Sequence, residues 1–215
     1  MSRKRLRERS PSTALRVFLA IKSLNYGDLM VLIWYAFGME NTIYAYGETH
    51  HGTHNNQINI ILVSKEFDAI FFEFPNDYQK FFDDYVNTGM MAERMKQTVE
   101  GASREGNDIE EELDILRKFS KEKNIPIVCI DSSKTKQGDY INKSEIGHWY
   151  LRSKSRDEDM FINIKSYLED HKGNFLLLVG AGHLKDGLHE RSREITLGTR
   201  LKKLLGTNYY SRILN

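Results

Sequence analysis

The chain has 215 residues, 40% apolar and 28% charged, a globular composition sized for one large domain or a domain with a short extension. A net charge of +1 supplies no whole-chain field toward nucleic acid, so no specific nucleic-acid partner is expected. The single cysteine, Cys129, excludes an intrachain disulfide, and no apolar run reaches the ~18 residues of a membrane-spanning helix. A cytoplasmic setting is expected, with an organelle or a membrane periphery as the alternative.

Residues 1–40 read as a basic N-terminal extension with helical segments, ahead of a single α/β domain over residues 41–215. Arg3, Lys4, Arg5, Arg7, Arg9, Arg16 and Lys22 stand there against one acid, Glu8. This is the pattern of a solvated basic tail. With the amphipathic run 14–21 it also allows weak contact with an anionic membrane surface.

Residues 42–48 alternate β-formers and reach Gly47, predicting a strand and a turn. A helix is expected from Thr53, capped by Thr53 or Asn55, with Ile58, Ile61 and Leu62 on its inner face. Phe67–Phe74 is a short apolar strand containing Glu73. Pro75 ends it and Asn76 is placed to cap a helix carrying Tyr78, Phe82 and Tyr85. Residues 98–107, polar with two glycines, read as a loop, and a helix from about Asp108 buries Leu113 and Leu116. Ile125–Ile130 is the third strand, ending in Asp131. A long polar connection over 132–155 leads to a helix from about Arg156 with Phe161, Ile164 and Leu168. Phe175–Val179 is the fourth strand, followed by Gly180-Ala-Gly-His183. A last helix places Leu197, Leu201 and Leu204 on one face, and 209–214 suits a final strand.

Short apolar strands alternating with amphipathic helices predict a mainly parallel sheet flanked by helices on both faces. Right-handed crossovers put the C-terminal ends of parallel strands on one edge, where ligands bind in open α/β sheets. Polar groups end four of these strands: Glu48, His50 and His51 after the first, Glu73 on the second, Asp131 on the third and His183 after the fourth. Glu73, set among Phe and Ile, needs a cation, a metal or several donors. Gly47 and Gly52 around the two adjacent histidines, and Gly180 and Gly182 before His183, let backbone come close to a ligand. Arg156 opposes the helix dipole, so it is read as a carboxylate clamp or a partner of Glu73. Asp157, Glu158 and Asp159 are explained by a helix N-terminus alone. His50, Glu73 and His183 would suit a catalytic divalent metal such as zinc, or, without metal, a histidine general base oriented by a carboxylate. Gly180-Ala-Gly182 is not a dinucleotide fingerprint, because Lys185 stands where its third glycine belongs.

Gly47-Glu-Thr-His50, Gly180-Ala-Gly-His183, Glu73 and Arg156-Asp157-x-x-Met160 together resemble the superfamily that joins TraB and Tiki proteins, ChaN-like haem-binding proteins and erythromycin-esterase-like enzymes. The resemblance spans about residues 42–206. Paired Gly-x-x-His motifs are those of the TraB/Tiki branch, while the esterase pattern Gly-Glu-x-Thr-His-Gly would move the key histidine to His51. It implies an EreA/ChaN-like α/β fold with His50 or His51, Glu73, Arg156 and His183 in one pocket, and Gly47, Glu48, Gly180 and Gly182 lining a ligand. Its branches imply three functions: a hydrolase of ester or peptide bonds acting on a small-molecule or peptide substrate, with Zn, Mn or Co in the Tiki-like mode; a haem- or cofactor-binding protein without turnover; or a degenerate interaction or toxin-like module.

Overall fold

The computed structural model describes residues 41–48, 54–103, 109–132, 145–188 and 195–214. The N-terminal extension and the segment bearing His50, His51 and Gly52 lie outside them. Residues 40–215 form one compact unit.

Five strands, β1 (Thr42–Glu48), β2 (Ala69–Pro75), β3 (Ile127–Asp131), β4 (Asn174–Gly180) and β5 (Tyr209–Ile213), form a sheet in the order β3-β2-β4-β1-β5. Every pairing is parallel, as expected from near-continuous apolar strands. β4 is inserted between β1 and β2, so Ala45 and Phe71 both register with Leu177. The chain therefore runs outward to β3 and then returns through β4 to β5. This reversal opens the crevice in which α/β sheets bind ligands, at the carboxyl ends of the strands.

Helices α1 (Asn55–Ser64), α2 (Gln79–Thr88), α3 (Glu93–Ser103) and α4 (Ile109–Lys123) connect β1 to β2 and β2 to β3. Their apolar stripes, including Ile58, Leu62, Phe82, Met95, Leu113 and Leu116, pack on the face that presents Ile70, Phe72, Leu176 and Leu178. Alternation along the strands turns Phe71, Phe175 and Leu177 the other way. Phe71 and Phe175 meet Tyr167 of α5 (Glu145–Asp170) edge-on, and α5 packs with α7 (Leu197–Leu205). A single turn, α6 (Ala181–Leu184), follows β4 directly.

Several boundaries differ from the sequence reading. Residues 98–103 belong to α3 rather than to a loop; Gly101 is tolerated because Met95 and Val99 are buried on the inner face. α5 begins at Glu145, inside the expected connection. Neither Asn55 nor Asn76 caps a helix. Asn55 lies within α1 and donates to Glu111 at 2.6 Å, and a 3-10 turn (Asn76–Tyr78) precedes α2. In α7 the third core position is Leu205, not Leu204. Edge strand β3 is protected by Gln79, whose amide donates to Ile127 O and accepts from Cys129 N.

Gly47 is an interior strand residue rather than a turn. A Cβ there would lie 2.9 Å from Ala181 Cα and 2.8 Å from Ile213 Cδ1, so the missing side chain lets α6 sit directly on β1. Gly47→Ala is expected to destabilise the chain by about 1–3 kcal/mol in denaturant titration, because backbone must move to admit the methyl group. Unchanged stability would show that α6 is free to shift.

Candidate functional site

Glu73 follows Phe72 where the β2–β3 register slips, at the carboxyl edge of the sheet. Its Oε1 accepts from Arg156 Nη2 at 2.5 Å, and its Oε2 accepts from the Gly180 N–H at 2.5 Å. Arg156 also grips Asp131 with a two-pronged contact, Nε to Oδ1 at 2.9 Å and Nη2 to Oδ2 at 2.8 Å. On the other side of Glu73 stands His183. Its Nδ1 lies 2.5 Å from Asp157 Oδ1 and its Nε2 lies 3.5 Å from Glu73 Oε1. Three strand ends, α5 and α6 thus deliver one network of five charged side chains.

The network is layered. The Asp131 and Asp157 side chains are 3% and 1% exposed, whereas Glu73, His183 and Arg156 keep 15%, 11% and 20%. The buried aspartates orient Arg156 and His183, and these two with Glu73 are the partly exposed members of the network.

Burial alone would raise the Glu73 pKa, but the charges of Arg156 and His183 and the Gly180 hydrogen bond hold it well below the carboxylate range. Burial alone would lower that of His183. The Glu73 charge and the Asp157 hydrogen bond outweigh it and raise the imidazole to about 10. His183 is therefore an imidazolium at neutral pH, a donor and a positive charge rather than a base. Glu48, next to Gly180 in register, goes the other way: burial and the charge of Glu73 lift it to about 7 despite a hydrogen bond with Glu112.

These shifts set how stability varies with pH. Glu73 is depressed in the fold, so its contribution is complete above its ordinary value of 4.5 and is lost as pH falls through the lowered pKa. His183 is raised, so its contribution is complete below 6.5 and fades as pH rises through about 10. Between 4.5 and about 7 the folded chain holds a proton on Glu48 that the unfolded chain releases, so stability falls there as pH rises. Denaturant titrations are expected to show maximal stability near pH 5 and a decline toward pH 9, of up to about 1.4 kcal/mol per pH unit for each titrating group. A flat or rising profile over that range would contradict these charge assignments.

Of the residues singled out in the sequence, Glu73, Arg156, His183 and Gly180 come together. Glu48 stands beside them across β1 and β4, and Gly182 lies in α6. His50 and His51 lie outside the described residues. In the sequence Asp157 reads as a helix-terminal acid. Because α5 starts twelve residues earlier, Asp157 is mid-helix, and a carboxylate with no dipole to explain it was the signal for its role. Glu112 was likewise hidden in the acidic start of α4.

A divalent ion would find His183 Nε2 and Glu73 Oε1 as donors, with Asp157 on Nδ1 orienting the ring as metal-bound imidazoles require. It would first have to displace the His183 proton and share a carboxylate already bound by Arg156 and Gly180. Among the described residues no three His, Cys, Asp or Glu groups are placed to hold a metal ion. Haem iron needs an unprotonated ring nitrogen, and the two carboxylates beside His183 favour a proton on each of its nitrogens. The described residues alone fit neither group.

No protein-family profile matches the chain, and no curated relative does. Solved structures do. An erythromycin esterase, EreC, in its open conformation aligns with a TM-score of 0.54 at 10% identity, over 92% of this chain and 75% of its own. The two chains share an α/β fold. A Bacillus cereus protein matches with a TM-score of 0.56 at 14% identity, covering 89% of this chain and 69% of its own. RRSP, a MARTX toxin effector domain from Vibrio vulnificus, matches at 0.51 and 14%, over 91% of this chain but only 37% of the toxin structure. At such identities the likeness establishes the α/β fold alone. Among the described residues no helix is long and apolar enough to cross a membrane.

Proposed function

We propose that the chain is a hydrolase of an ester or amide bond in a small-molecule or peptide substrate. What carries this reading is the Glu73–Arg156–His183–Asp157 network, which keeps a fixed charge pattern partly open at the sheet edge. Protein interiors do not assemble buried ions for stability, since replacing them by apolar groups is commonly neutral or better. A preorganised imidazolium and guanidinium at a substrate edge are, however, what a developing oxyanion needs.

In this reading the carbonyl of the substrate lies against His183 Nε2, whose N–H donates to the oxygen as it becomes negative. Glu73, pinned by Arg156 and Gly180, holds the imidazolium in place. His183 carries its proton to about pH 10, so the base that takes the proton from attacking water must be another group. His50 or His51, in the segment directly after Glu48, is assigned that role. Breakdown of the tetrahedral adduct then releases the alcohol or amine, which takes up a proton. The fold of an esterase and the Gly-x-x-His motifs of the TraB/Tiki branch support the assignment.

The test is hydrolysis of a panel of activated esters, macrolactones and short peptides by the full chain and by His50→Ala, His51→Ala and His183→Gln, each before and after exhaustive chelation. Turnover that survives chelation, is lost with His183 and is lost with one of the two adjacent histidines is expected. Activity abolished by chelation and restored by Zn, Mn or Co would favour the metal-dependent Tiki-like mode instead. Turnover indifferent to all three substitutions would remove the site. No turnover, with a Soret band on adding haem that His183→Gln abolishes, would favour the ChaN-like binding reading.

A further inference from the structure

We infer that Glu112 of α4 is a positioning residue that shares a proton with Glu48, so that the two carboxyl groups together carry one negative charge beside Glu73 and not two. Strand alternation turns Tyr44, Tyr46 and Glu48 toward the α1–α4 face of the sheet. Glu112 comes from that face and is only 7% exposed, on the same side of α4 as the buried Leu113 and Leu116. The helix dipole favours acids in this first turn, as it does Glu110 and Glu111, but it does not require one to be turned inward.

The two carboxyl groups are hydrogen-bonded to each other. A carboxylate oxygen can only accept, so such a contact exists only when one proton lies between them. The remaining oxygens, Glu48 Oε1 and Glu112 Oε1, are buried without a hydrogen-bond partner among the described residues, which a pair of anions would not tolerate. The groups around the pair act in the same sense. Glu73 of β2 adds a negative field at both carboxyls. From α1, Asn55 is engaged with Glu111, and His54 is buried at the helix start. His183 of α6 is held by Glu73 and Asp157. Burial and this field keep the Glu112 proton well above the ordinary carboxyl range.

The pair also gives the network a way to keep its charge count. Arg156 and His183 already face Glu73, Asp131 and Asp157. A second, unshared charge on the Glu48–Glu112 pair would add to the repulsion that Glu73 already exerts on both carboxyls.

Infrared spectra of the full chain with isotope-labelled glutamate, recorded near about pH 8.5, test the shared proton without any substrate. A protonated-carboxyl stretch in the wild-type chain that disappears in Glu112→Gln is expected. Its absence from the wild type, or its persistence in the variant, overturns the inference. The kinetic arm rests on the hydrolase reading. Glu112→Leu removes the hydrogen bond that lowers Glu48, so the limb of the kcat/KM profile near neutrality is expected to move up by about one pH unit. Glu112→Gln, which still donates, is expected to leave that limb in place. Equal loss of stability in both variants with no movement of the limb would make Glu112 merely structural and overturn the inference. A wild-type chain that hydrolyses nothing would sink the hydrolase reading while the infrared result still decides the shared proton.

Discussion

Arg156→Met is expected to destabilise the chain by about 3–5 kcal/mol at neutral pH and to abolish turnover. The substitution roughly keeps the volume and removes the only cation that bridges Glu73 and Asp131 among the described residues. Both carboxylates are then left with little water, and the lost coulombic partner is the strongest influence holding the Glu73 pKa down. Protonating Glu73 would relieve the variant, so its deficit is expected to shrink as pH is lowered from 7.5 to 5. Arg156→Lys keeps a charge but cannot reproduce the two-pronged contact with Asp131, and should fall between the two. Denaturant titration at both pH values checks this. A deficit below about 1 kcal/mol, the range of an exposed ion pair, would show that solvent already screens the cluster.

The second large effect concerns the His183–Asp157 pair. His183→Gln is expected to lower kcat by about 100- to 1,000-fold with a smaller change in KM, the usual consequence of losing one oxyanion donor. Asp157→Asn should separate charge from geometry. The amide can still accept from Nδ1, but a neutral partner no longer supports the imidazolium, so the His183 pKa falls from about 10 toward its ordinary 6.5. The alkaline limb of the pH–rate profile should move down with it, while activity at pH 6 is largely retained. An Asp157→Asn variant with a wild-type pH profile would mean that the proton on His183 plays no part in the proposed hydrolysis.

How much of this was visible in the sequence depends on what kind of signal each residue left. The strands are legible because a sheet covered on both faces demands unbroken apolar runs, and an ionisable residue inside such a run, as at Glu73, must reach water or find a partner such as Arg156. Arg156 was legible because it opposed the dipole of the helix expected to start there. That same misplaced start concealed Asp157: with α5 beginning at Glu145, its aspartate lost the dipole that seemed to account for it. Glu112 was concealed by its acidic neighbours, since composition cannot say which member of Glu110-Glu111-Glu112 faces inward. Helix α3 was missed because Gly101 and a polar sequence masked a narrow stripe of Met95 and Val99. The protonation of His183 was out of reach in principle. It arises from two carboxylates brought from separate elements, and residue types alone read equally well as a metal ligand, a base or an acid.

The ring nitrogens of His183 offer the most direct measurement. Nitrogen-15 NMR of histidine-labelled protein, with the resonance assigned through His183→Gln, should show both nitrogens protonated at pH 7.5 and a titration centred near 10. A neutral imidazole at pH 7.5, with one unprotonated nitrogen titrating near 6.5, would contradict the charged network on which the proposed chemistry depends.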